Sequence, residues 1–292
     1  SFSRHFITIQ SKSPRSKWTS LGASVRRYFA TVVKSSLARA LRRVEGRAGG
    51  GTELKRAEFD GVVVAGKSEA PVYLSILDGT VELRDAASLW GKSTLETRES
   101  LKAQLGEQTR VAATGPAGEH MVSLATVLAD NDASGSSGFG AVMGSKNLKA
   151  ITVRGTGVIT TAHPEALTEL NRHIRQLRKT SPTRSIWGEQ VAPGKKRLDI
   201  CRGCSLGCER QVYQSKAGRE GKFICGQVGF YQGRAQRYYG EKDWSEIPFQ
   251  AAMLANDYGM DVFSLGPMLM WLSRCYQAGI LTDDNTGLLL SQ

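Results

Sequence analysis

Hydrophobic and polar positions change rhythm several times along the chain, and each change marks an element. "FITIQSKSP" alternates and then breaks at Ser13-Pro14, which predicts a strand followed by a turn. From Phe59 the runs are short and bounded by turn residues. "FDGVVVAGK" predicts a buried strand closed by Ala65-Gly66-Lys67. "APVYLSILDGTVELRDA" sets two runs around Asp78-Gly79, a dipeptide suited to a two-residue hairpin whose central positions need positive φ. "TLETRESLKAQLG" predicts a helix capped by Ser93 or Thr94 and stopped by Gly106. "RVAATG" and "MVSLATVLA" are further apolar segments, "LKAITVRGTG" is a strand, and this texture ends near Gly157.

Beyond it the period becomes helical. Leucines behind Pro164 predict a helix to about Lys179. The polar stretch "TSPTRSIWGEQVAPGKKR" reads as a linker, and "IPFQAAMLANDYGMD" and "LGPMLMWLSRCYQAGIL" predict two more helices. The expected class is α+β, with a β-rich domain over 1–157 and an incomplete all-helical domain over 158–292. Residues 15–50 fit neither and form an irregular basic segment.

The 292 residues, 40% hydrophobic and 23% charged, suffice for two globular domains. No apolar run approaches the roughly 18 residues of a membrane-spanning helix, so no membrane span is expected. The net charge of +12 suggests nucleic acid until it is located. Nine basic residues between Arg15 and Arg47 face a single acid, Glu45, so this stretch holds most of it. The remainder is nearly balanced, and no aromatic-interleaved basic module accompanies the charge, which argues against nucleic-acid binding. The first 44 residues lack acids and are rich in Ser and Arg, the composition of a mitochondrial transit peptide. The start at Ser1 and the strand-like "FITIQ" favour instead a chain that begins inside a longer one.

Three of five cysteines fall within "CRGCSLGC", as Cys201, Cys204 and Cys208. C-x2-C brings two thiolates to one site, and a further x3-C folds a third over it, as a cubane cluster needs from one loop. Zinc would require a fourth Cys or His at a recognisable spacing, and Cys225, Cys275 and the four histidines do not supply one. Disulfides at such spacings do not make a secreted framework. An iron–sulfur cluster is favoured, with structural zinc in a non-catalytic fragment as the alternative. Cys275, on a predicted helix, reads as a core thiol. The run "ASGSSGFGAVMGSKNLKAITVRG" exposes backbone N–H groups able to wrap an anion, yet it matches neither a P-loop nor a Rossmann turn.

Taken together, "GPAGEHMVSLATVLADNDASG", "GFGAVMGSKNLKAITVRGTG", the C-x2-C-x3-C motif and "NDYGMDVFSLG" resemble the aldehyde:ferredoxin oxidoreductase family of tungsten enzymes. The resemblance runs from about Gly51 to Leu281, with the family's Glu-Leu-Lys at Glu53-Leu54-Lys55. It implies a β-rich base for a tungsten (or molybdenum) bis-pterin cofactor, magnesium between the pterin phosphates, and helical domains around a [4Fe-4S] cluster. Cys201, Cys204 and Cys208 correspond to the first three cluster ligands, the fourth being expected beyond Gln292. Ala133 and Gly135 correspond to the loop that meets the pterin phosphates. Asn256, Met260 and Asp261 correspond to the D-x-x-G-[LM]-D pterin turn, with Asn in place of its first Asp. Arg4 corresponds to the arginine that bridges pterin and cluster, at a longer spacing from the Ser-Pro turn.

The resemblance also has gaps. The Asn-Ser-Gly-Gly strand that helps hold magnesium is replaced by the longer basic segment, either a true insertion or a stretch read out of frame. The glutamate-bearing segment of the aldehyde oxidisers is replaced by "CGQVGFYQGRAQRYYGE", closer to the benzoyl-CoA reductase branch. The implied activity is oxidation of aldehydes to carboxylates in the cytoplasm, with ferredoxin or another low-potential carrier as acceptor. Reduction of an aromatic acyl-CoA is the alternative. A homodimer or a partner electron-transfer subunit is expected with either.

Overall fold

The computed structural model describes residues 7–11, 50–130, 133–135, 138–180, 195–198, 211–215, 217–222 and 246–288. Arg4, most of the basic segment, Cys201, Cys204, Cys208 and Cys225 lie outside the described residues.

The first part is built on a six-stranded mixed sheet in the order β4-β3-β8-β5-β6-β7. Its strands are β3 (Val72–Leu77), β4 (Thr80–Asp85), β5 (Arg110–Thr114), β6 (Val127–Ala129), β7 (Ala133–Gly135) and β8 (Leu148–Arg154). Only β3 and β8 run parallel. The predicted hairpin forms with Asp78 and Gly79 both at positive φ, 43° and 83°. Apart from this sheet, β1 (Ile7–Ser11) pairs antiparallel with β2 (Phe59–Val64), preceded by α1 (Gly50–Arg56).

Both faces of the sheet are covered, which is why β8 is buried at nearly every position rather than alternating. On one face Leu74, Ile76, Ile151 and Val153 pack with Leu54 of α1, Val62 and Val64 of β2, and Phe139 and Met143 of α4 (Phe139–Gly144). On the other, Tyr73, Val111, Ala113 and Ala150 pack with Leu101 of α2 (Thr94–Leu105). Helix α2 starts on the predicted Ser93 cap, which forms a full capping box with Glu96, and ends at Gly106. Between β5 and β6 lies the short α3 (Pro116–Glu119).

Helix α5 (Pro164–Thr180) follows, then α6 (Glu246–Tyr258), α7 (Val262–Gln277) and α8 (Asp283–Thr286). The α+β class holds, but the second part is not all-helical. A three-stranded antiparallel sheet, order β11-β10-β9, is formed by β9 (Lys195–Leu198), β10 (Gln211–Gln214) and β11 (Glu220–Lys222). Strands of three or four residues with mixed polarity have too few positions for a period-2 pattern to stand out, and β9 was absorbed into the polar linker. The cysteine motif lies, in sequence, between the paired strands β9 and β10. Cys275 is buried in α7, as expected of a core thiol. Met268, Leu269, Met270 and Trp271 on the same helix are 42–62% exposed. Among the described residues no helix is long and apolar enough to cross a membrane.

Candidate cofactor site

The turn "NDYGMD" joins α6 to α7 and is closed by its own chemistry first. Met260 N–H donates to Ala255 O (2.8 Å) and Gly259 N–H to Asn256 O (3.0 Å). This is a Schellman ending, with Gly259 at φ +71° supplying the left-handed residue it requires. One residue on, Asp261 caps α7: its Oδ1 accepts from Phe263 N–H and its Oδ2 from the Ser264 hydroxyl, each at 3.1 Å. The chain thus ends one helix and starts the next within three residues.

Remote segments then pin this turn. Thr94 Oγ1 donates to Asn256 O at 2.6 Å, inside the protein. Thr126 N–H donates to Gly259 O (2.7 Å) and Asp261 N–H to Leu124 O (2.9 Å), so Met260 sits opposite Ala125 in an antiparallel bridge. Gly115, the residue before α3, lies so close that a Cβ there would fall 2.5 Å from Tyr258 O. Asn256 and Asp261 are 6% and 8% exposed.

The glycine-rich run reaches the same place from the other side. Strand β7 is the edge of the six-stranded sheet and pairs with β6 so that Val127 faces Gly135 and Ala129 faces Ala133. Gly135 O accepts the Thr126 hydroxyl at 2.6 Å, and Gly140 N–H donates to Ala125 O at 3.1 Å. Segment 123–126 is therefore common to both stretches. The structure brings Gly135, Met260 and Asp261 onto it, while Ala133 pairs with Ala129 further along β6 and Asn256 is held by Thr94.

The donor set suits a pterin. A carboxylate has about four acceptor sites and Asp261 spends two on its cap. Asn256, near the end of α6, is also buried. The Met260 N–H is committed to Ala255, and among the described residues no hydrogen bond to its carbonyl is seen. An edge strand such as β7 presents backbone donors and acceptors on its outer side. Among the described residues no group of His, Cys, Asp or Glu is arranged to hold a metal ion directly.

Behind these segments is a charged pair that sequence reasoning missed. Lys149 on β8 is fully buried and forms an ion pair with Glu119 at the end of α3. Its ammonium also donates to Lys92 O (2.7 Å), while Glu119 Oε2 accepts Gly91 N–H (2.8 Å). Burial lowers the Lys149 pKa from its ordinary value, and Glu119 opposes that shift. The pair ties together the segments that lead to Thr94 and to Gly115. Its one sequence signal was a lysine inside an otherwise apolar strand. Thr126 carries none, and Thr94 stands out only as an alternative cap to Ser93. On the second sheet, Arg219 meets both carboxylate oxygens of Asp257 at 2.8 and 2.7 Å, docking the β10–β11 hairpin against the last turn of α6.

Comparisons with known proteins place the chain in a family. A model of the aldehyde ferredoxin oxidoreductase N-terminal domain matches residues 17–155, and one of domains 2 and 3 of the same family matches 141–292. The chain belongs to the aldehyde ferredoxin oxidoreductase family. The tungsten-containing aldehyde ferredoxin oxidoreductase of Pyrococcus abyssi is 33% identical over 282 residues, covering 81% of this chain and 45% of its own length. The enzyme of the same name from Pyrococcus furiosus is 47% identical over 114 residues, covering 38% of this chain and 19% of its own. The solved active-site complex BamBC of benzoyl coenzyme A reductase with 1,5-dienoyl-CoA is similar at a TM-score of 0.70 and 27% identity. That similarity covers 82% of this chain and 43% of the other. The chain spans less than half the length of these relatives.

Proposed function

We propose that this chain forms the pterin-binding base and part of the cluster site of a tungsten oxidoreductase that oxidises aldehydes to carboxylates. Electrons would leave singly to ferredoxin or another low-potential carrier. The observation that carries the reading is the convergence of 133–135 and 256–261 on one segment, in a chain matched by both family models. When bound, the tungsten-pterin group supplies the two-electron redox chemistry, and the protein supplies its orientation and surroundings. Asp261 and Asn256 would accept from and donate to the pterin ring edge, the Met260 carbonyl would orient it, and the backbone of Ala133 and Gly135 would meet its phosphates with their magnesium. Cys201, Cys204 and Cys208 would ligate the [4Fe-4S] cluster, and Arg4 would stand between cluster and pterin.

A second reading within the family is reduction of an aromatic acyl-CoA, supported by the similarity to the benzoyl coenzyme A reductase complex and by the segment after the cysteines. The two separate on the full-length enzyme: aldehyde-dependent reduction of a low-potential dye supports the first, and dye-driven consumption of benzoyl-CoA the second. The site assignment is tested apart from activity. Cys204→Ser should lose iron and sulfide, and full cluster content would remove the cysteines from the site. Asp261→Asn should lower tungsten and pterin content. Asn caps about as well as Asp, so the melting temperature of the cofactor-free protein should barely move. Normal tungsten content in that variant would leave Asp261 only its cap.

A further inference from the structure

Thr126 is given no role by the resemblance, yet it touches both halves of the site. It is 1% exposed and sits between Ala125, which bridges to Met260, and Val127, which pairs with Gly135. Its N–H donates to Gly259 O at 2.7 Å and its hydroxyl to Gly135 O at 2.6 Å. The hydroxyl has one proton to give, and the other carbonyl near it, Val127 O at 3.5 Å, is too distant to compete. One residue thus holds the edge strand by its side chain and the turn by its backbone.

We propose that Thr126 is a positioning residue that sets the spacing between the phosphate-facing strand 133–135 and the pterin-facing turn 256–261. This rests on the cofactor reading given under Proposed function. The physical reason is that β7 is three residues long and lies at the sheet edge. A short edge strand has few ladder bonds to fix its height, so one buried side-chain hydrogen bond is a large share of its restraint. The turn needs no such help from the side chain, because the Thr126 backbone N–H survives any substitution except proline.

The test uses the full-length enzyme as wild type, Thr126→Val and Thr126→Ser, with tungsten, pterin, iron and sulfide measured per chain. Valine keeps the shape and removes the hydroxyl, and serine keeps the hydroxyl. Thr126→Val should hold about threefold to tenfold less tungsten and pterin, the range of one lost hydrogen bond. Its iron and sulfide should be unchanged, and the melting temperature of the stripped protein should fall by only a few degrees, as for one lost buried hydrogen bond. Thr126→Ser should be restored. If the valine variant does not accumulate, Thr126→Ala carries the same expectation. A loaded wild type with an equally loaded valine variant overturns the role of Thr126 alone. So does a serine variant as depleted as the valine one. A wild type without tungsten and pterin overturns the cofactor reading and this role with it.

Discussion

Strand 133–135 is held from nearby in the chain, and turn 256–261 from far away. Gly135 bonds to Thr126, nine residues off, and its strand partners are the residues just before it. The turn closes itself with a Schellman ending and a cap, but its placement depends on Thr94, Gly115 and Leu124–Thr126, well over a hundred residues earlier. Local pairing makes the first segment a property of the sheet. The second is a property of how two parts of the chain meet. Damage to the contacts between those parts should loosen the turn and leave the strand in place.

The largest expected effect is at Lys149. Lys149→Met leaves the Glu119 carboxylate buried without its partner, a change that costs about 3–5 kcal/mol of stability. Replacing both, as Lys149→Met with Glu119→Met, should recover much of the melting temperature. A single variant as stable as wild type would show that the pair is not a structural node. Next is Gly115→Ala, whose Cβ would fall 2.5 Å from Tyr258 O. An overpacked backbone contact of this kind costs about 1–3 kcal/mol. Hydrogen exchange at the Gly259 and Asp261 amides should quicken, while the β6–β7 amides stay protected. Equal loosening of both would erase the contrast between the two segments.

Thr94→Val removes one buried donor from Asn256 O, which keeps Gly259 N–H as its other partner. The expected loss is about 1 kcal/mol in thermal unfolding, again with faster exchange at the turn. The smallest effect belongs to Arg219→Ala. Its pair with Asp257 is part-exposed, with the Arg219 side chain 40% accessible, so less than about 1 kcal/mol is expected. A double-mutant cycle with Asp257→Ala measures it, and a coupling well above that would make the hairpin dock a main support of α6.

Legibility in the sequence follows the same divide. The hairpin at Asp78-Gly79 and the Ser93 cap were visible because each is decided by a few adjacent residues. The two candidate segments stood out only through a resemblance, since a glycine-rich run and a helix–helix turn are each common by themselves. Their meeting on 123–126 depends on a β-bridge and on hydrogen bonds with no sequence pattern. Thr126 looks like any threonine beside a strand, and Thr94 like any residue at a helix start. Lys149 reads as a surface charge until both faces of β8 prove covered.

The four apolar side chains from Met268 to Trp271, exposed on α7 in this span, bear on how the protein can be handled. Methionine, leucine and tryptophan side chains this exposed raise the tendency of the chain to associate at working concentrations. Expression of residues 1–292 alone should give concentration-dependent light scattering. A mild detergent should suppress it.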